Sequence, residues 1–230
     1  MKYLQYVLTD LRMLISSRYF KVLIIVMLFS IMTVSFFNHG NILSQTQVLI
    51  STLMPSEGRL GGITYTEFVE MQRPYANHYA YLVNNQHLLH KSLSVNFIVI
   101  ILIIPMFSSI IAGLDDHFKT VKYKISYRNS KIDILAQISL SIIVTVVLTF
   151  LFLLISFSVF FAIIKFYVIP NIDTAEWEIL KSLLIEMYGV TYRFNIVEVI
   201  VLYIAIAVFF SILTFMITKL FRSIFIGVSV

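Results

Sequence analysis

The chain has 230 residues, 59% of them hydrophobic and 13% charged, with a mean hydropathy of +0.91 and a formal net charge of +5. A water-soluble domain needs more polar surface than that, so the composition describes an integral membrane protein. Cysteine is absent, which excludes disulfides, thiolate metal centres and cysteine nucleophiles.

Residues 1–21 do not read as a cleavable leader, because no small-x-small site follows the apolar run behind them. Within residues 1–18, Leu4, Val7, Leu8, Leu11, Leu14 and Ile15 recur at helical spacing, with Gln5, Thr9, Arg12 and Ser16 opposite. This pattern suits an N-terminal helix lying in the membrane interface; the alternative is a cytosolic extension of the first span. Residues 22–37 form that span. Sixteen residues make roughly 24 Å of helix, short for a hydrocarbon core of about 30 Å. Tyr19, Phe20 and the snorkelling side chains of Arg18 and Lys21 supply the rest.

Residues 38–91 are hydrophilic and broken by Pro55, Gly58, Gly61, Gly62 and Pro74, which reads as a small extracellular subdomain. Residues 92–114 carry no charge and give a second span, with a kink expected where Pro105 removes the donor for the carbonyl of Ile101. A charged segment follows at 115–131. The third span, 134–166, opens on an uncharged run of 31 residues at 134–164, about 46 Å of helix, and is expected to stop near Pro170. Residues 171–198 form a second outer loop with five acids and an amphipathic helix at 176–188. A fourth span occupies 199–218. Residues 223–230 turn apolar again and read either as a short buried tail or as the start of a fifth span. The fold class is therefore all-α, with at least four transmembrane helices.

Orientation follows from Lys and Arg near the spans. Four lie in the N-terminal segment, five in residues 113–137 and two at 219–222, against three in 38–91 and two in 171–198. The N-terminus and the charged segment are expected in the cytoplasm, and the two larger loops outside.

Few residues carry obvious chemistry. His87-x-x-His90 places two imidazoles on one helical face near His78, but zinc needs a third ligand and a second-shell carboxylate, and exposed polar residues are the simpler reading. Hydrolase and nucleotide-binding signatures are missing, and no ionisable residue sits at mid-depth in a span. On the third span Gln137, Ser141, Thr145, Thr149 and Ser156 share about a third of the helix circumference. They read as either helix-packing hydroxyls or the lining of a translocation path. In the charged segment, Asp115 and Asp116 suit a helix N-terminus, and Phe118, Val121 and Ile125 make a small apolar face beside basic residues. A short amphipathic helix there, followed by a turn into a span, is shaped to dock into a partner's groove; a plain topology-setting loop is the alternative.

Asp115-Asp116-His117-Phe118-Lys119-Thr120, followed by Tyr127-Arg128-Asn129-Ser130-Lys131-Ile132, resembles the cytoplasmic coupling helix and following turn of a known family. With the interfacial helix, span, outer loop and second span before it, the layout resembles permease subunits of ABC exporters of the second, polysaccharide- and drug-export-like permease family. Lys119 stands where that family usually has Gly, Gln137 where it often has Lys, and the family's six spans exceed those read here. The resemblance implies a coupling helix between spans two and three, with Asp115, Asp116, Phe118, Thr120, Val121, Tyr123, Ile125 and Arg128 facing a cytosolic ABC ATPase. It further implies pairing with a second permease subunit, identical or not, in a bacterial plasma membrane. ATP and Mg would be held by the ATPase, with no cofactor or catalytic residue in this chain and no nucleic acid partner. The expected cargo is amphipathic: a peptide, toxin or drug-like molecule. The competing reading is a non-transporting sensor, immunity or scaffold protein acting through its outer loop.

Overall fold

The computed structural model describes residues 2–53, 67, 70–71, 78–114, 130–188 and 196–221. Every element among them is helical. The chain runs through α1 (Lys2–Ser16), α2 (Arg18–Leu53), a 3-10 turn (Ala80–Leu82) and α3 (Asn85–Val95). A π turn (Val99–Ile103) leads into α4 (Ile104–Ala112), and α5 (Ser130–Ile163) passes through a second π turn (Ile164–Val168) into a 3-10 turn (Ile169–Asn171). Helices α6 (Thr174–Tyr188) and α7 (Ile196–Phe221) complete the order. Of the coupling segment expected at 115–131, residues 115–129 lie outside the described residues, as does the whole of the tail expected at 223–230.

Among the described residues, three stretches are long and apolar enough to cross a membrane: Arg18–Ser51, Lys131–Asn171 and Val197–Phe221. A fourth span exists only if the bent pair Asn85–Val95 and Val99–Ala112 counts as one. The second expected span is thus not a continuous helix. It is interrupted at Asn96, whose carbonyl accepts a bond from the Val99 N–H at 3.0 Å, three residues on. Asparagine competes for local backbone groups and suits such a break.

Both prolines near helix ends are met by the same device. Proline cannot donate, and its ring crowds the carbonyl four residues back. Ahead of Pro105 the Ile104 N–H bonds the Val99 carbonyl, and ahead of Pro170 the Ile169 N–H bonds that of Ile164. Each is a five-residue spacing, and the wider turn makes room for the crowded carbonyl. Where a kink was expected at Pro105, the π turn Val99–Ile103 stands directly before it. At the other site, α5 and its π turn end where expected, at Pro170.

The chain divides into two compact units. Unit 1 comprises residues 1–31, 96–153 and 197–230; unit 2 comprises 32–95 and 154–196. In unit 1, α1 packs on α4, and the Phe20 ring meets Phe107 edge-on at 5.4 Å. The Tyr3 hydroxyl donates to Ser139 Oγ at 2.6 Å, pinning the start of α1 to α5. Leu14 is buried, whereas Leu4, Leu8 and Ile15 are exposed. That outward stripe fits an interfacial helix, because nothing among the described residues covers it. Exposed Val22, Ile25, Phe29, Val201, Leu202 and Phe209 on α2 and α7 present hydrocarbon where a bilayer would lie.

Unit 2 has its own core. Ile42, Leu49 and Ile50 of α2 meet Tyr81, Leu82 and Leu88, Phe160 and Ile164, and Leu180, Leu183 and Leu184 of α6. This explains why α2 does not stop at residue 37 but continues through Asn38, His39 and Gly40 to Leu53. Glycine inside a helix costs about 1 kcal/mol, and burying three large aliphatic side chains beyond it recovers roughly 1.5–3 kcal/mol each. Side-chain caps start both short helices. Asn84 Oδ1 accepts from the Gln86 N–H at 2.8 Å, and Asp173 Oδ1 from the Ala175 N–H at 2.8 Å.

Phe160 is fully buried in this core, with Trp177 packed against it. Phe160→Ala is expected to destabilise unit 2 by about 3–5 kcal/mol. Denaturant unfolding followed by fluorescence of Trp177, the single tryptophan, measures it.

Candidate functional site

Unit 1 buries a set of hydroxyls. Ser141 Oγ donates to Ser108 Oγ at 2.6 Å, joining α5 to α4. Thr145 Oγ1 donates to Ser211 Oγ at 2.9 Å, joining α5 to α7. Thr218 Oγ1 approaches Ser109 Oγ at 2.9 Å and bonds the Thr214 carbonyl at 2.8 Å, joining α7 to α4. Each of the three helices supplies two of the six hydroxyls, and the three bonds close a triangle. All six are buried.

Local sequence explains the arrangement. Residues four apart share a helix face, so 137, 141, 145 and 149 project from α5 as one stripe. Adjacent Ser108 and Ser109 point about 100° apart and can serve two neighbours. Hydroxyls are small enough to let helices approach, and each such bond between membrane helices contributes about 0.6 kcal/mol on average.

The five stripe residues named from the sequence are all buried within the chain. Ser141 and Thr145 bond across helices in unit 1, and Ser156 Oγ, in unit 2, donates to the Ser92 carbonyl at 3.2 Å. Gln137 is enclosed, and Thr149 Oγ1 is buried with no hydrogen-bond partner among the described residues. The docking residues Asp115, Asp116, Phe118, Thr120, Val121, Tyr123, Ile125 and Arg128 lie outside the described residues. Their attachment is described: α4 ends at Gly113, whose N–H bonds the Ser109 and Ile110 carbonyls, and α5 begins at Ser130. The triangle therefore couples the helix that leads into the charged segment to the one that leads out, and both to α7.

Asp10 is the residue the sequence reading missed. It fell on neither face of the N-terminal pattern, yet it is 0% exposed. It is four residues before buried Leu14, and that spacing was its one signal. In unit 2 an open groove of about 380 Å³ is lined by Met32, Thr33 and Phe36 of α2 and by Val159 and Ile163 of α5. It is almost wholly apolar and holds no chemistry beyond shape. Among the described residues no three His, Asp or Glu side chains are grouped as a metal ion would require. The chain matches no protein-family model, no curated protein and no solved structure.

Thr145 and Thr149 provide a matched test. Thr145→Val strands the Ser211 hydroxyl and is expected to cost about 1 kcal/mol. Thr149→Val removes an unpartnered buried hydroxyl at nearly constant shape and is expected to leave stability unchanged or higher. Thermal unfolding of both variants in one detergent decides between them.

Proposed function

We propose that this chain is the membrane-spanning subunit of an ATP-driven exporter of the ABC type. A separate cytosolic ATPase binds the 115–129 segment through Phe118, Val121 and Ile125, flanked by the acids and Arg128. The observation that carries the reading is the hydroxyl triangle. It ties the two helices bordering this segment to each other and to α7, so a displacement imposed on the segment is delivered to three helices together. Support also comes from α1, whose exposed apolar stripe beside Arg12 suits the interfacial helix of such a subunit.

In this reading the ATPase holds ATP and Mg and supplies the free energy, and the chain itself performs no covalent chemistry. Two permease subunits pair in a bacterial plasma membrane with their N-termini and charged segments in the cytoplasm. The loops 38–91 and 171–198 then lie outside the cell. The cargo is amphipathic, such as a peptide, toxin or drug-like molecule, in keeping with apolar helix faces and sparse hydroxyls. The stripe of Gln137, Ser141, Thr145, Thr149 and Ser156 serves translocation only if the helices separate during the cycle.

One observation favours a second reading. Unit 2 has a core of thirteen buried apolar residues and two capped helices, more than a connecting loop requires. A sensor, immunity or scaffold protein acting through that unit would use such a surface without an ATPase.

Copurification distinguishes these. The wild-type chain is expected to capture a P-loop ATPase from its own cells, and Phe118→Asp with Val121→Asp is expected to lose it. If no ATPase is captured, or if cargo resistance survives the double substitution, the exporter reading fails. For orientation, a cysteine replacing Ser130 is expected to resist an impermeant external thiol reagent, and one replacing Asn84 to react. The opposite labelling pattern would invert the topology.

A further inference from the structure

Residues 75–91 read YANHYAYLVNNQHLLHK, with three histidines, one lysine, three tyrosines and no acid. The fold gathers part of this into one cluster in unit 2. The 3-10 turn Ala80–Leu82 sinks Tyr81 into the apolar core, leaving it 3% exposed. Helix α3 then brings Lys91 back over it, with Nζ 5.5 Å from the centre of the Tyr81 ring. The Tyr79 ring lies 6.1 Å from that of Tyr81, and His78 packs edge-on against Tyr79 at 5.2 Å. Burial and then the charge of Lys91 hold the His78 imidazole below its usual pKa, so the ammonium is felt across the cluster.

Three features of the cluster are uncompensated. Lys91 is half-buried, and no carboxylate pairs with it among the described residues; its contact is the aromatic face. A partly desolvated ammonium held only by a ring quadrupole keeps most of its demand for an anion. The hydroxyl of Tyr81 is buried without a hydrogen-bond partner among the described residues. Finally, the whole stretch from Met71 to Leu114 contains no Asp or Glu that would repel an anion.

Position selects the kind of anion. Lys91 is the last charged residue before the uncharged run 92–114, so in a bilayer it stands at the level where apolar chain gives way to headgroups. Lysine and tyrosine at that depth meet phosphate oxygens, for which a lysine ammonium is a compact point charge.

We infer that His78, Tyr79, Tyr81 and Lys91 form a binding site for the phosphate of an anionic phospholipid. Lys91 supplies the charge and the tyrosines wall the site, while His78 adds a donor that becomes cationic when protonated. The site rests on the chain lying in a membrane and not on the exporter reading, so failure to capture an ATPase leaves it standing.

The full chain, purified in detergent, tests this by native mass spectrometry after incubation with phosphatidylglycerol or phosphatidylcholine. Wild type is expected to retain the anionic lipid about tenfold more than the zwitterionic one. Lys91→Gln is expected to remove that preference, Lys91→Arg to keep most of it, and Lys181→Gln, at an exposed ion pair in the same unit, to leave it unchanged. Melting curves of each variant separate lost binding from lost folding. Equal retention of the two lipids by wild type overturns the inference, as does an anionic preference that survives in folded Lys91→Gln. An inorganic phosphate arm guards the lipid assignment. If phosphate at millimolar concentration displaces the anionic lipid completely, the site takes a free anion and the lipid assignment falls.

Discussion

Inside a bilayer no water is available to satisfy a polar group, so a buried hydroxyl is stabilised chiefly by a partner within the protein. Unit 1 answers this constraint with three bonds, Ser141 to Ser108, Thr145 to Ser211 and Thr218 to Ser109. Hydrocarbon offers little preference among rotations or slides of one apolar helix against another. Hydroxyl pairs do, because a slide of one residue separates them and leaves two desolvated groups. The triangle thus sets the register of α4, α5 and α7, and the burial of Phe107, Leu140 and Ala207 follows from that register.

The same reasoning explains where the backbone departs from the α-helix. A missing N–H at proline is tolerable only if the turn before it can rearrange, and both Ile-Pro steps do so through a π turn. Asn96 interrupts the backbone ahead of the first of these. Unit 2 is held in a different way. Its helices start at Asn and Asp caps, its surface carries an exposed Lys181–Glu178 pair worth little by itself, and its stability comes from an apolar core.

For function, the consequence is mechanical economy. A segment bordered by α4 and α5 cannot shift one helix without loading the bonds to the other and to α7. A load applied to that segment would be carried by three helices together. The cationic cluster around Lys91 answers to separate physics, since it depends on charge at the edge of an apolar run and not on the hydroxyl register.

Much of this was readable from the chain alone. Membrane residence follows from composition. The helices follow from uncharged runs, the end of the third span from Pro170, and the hydroxyl stripe of α5 from a spacing of four. The amphipathic helix expected at 176–188 appears as Thr174–Tyr188. These are local properties, governed by periodicity and propensity within one or two turns. Tertiary structure decided the rest. Helix α2 runs past Gly40 because a core assembled in part from residues more than a hundred positions away rewards it. The run 92–114 breaks at Asn96 because α3 belongs to unit 2. Asp10 is enclosed because α1 rolls a mixed face inward and leaves Leu4, Leu8 and Ile15 outside. A stripe of hydroxyls announces that a partner is needed, but the choice of Ser108 or Ser211 as that partner depends on contacts 33 and 66 residues apart. No local pattern encodes that choice, because it is made by packing.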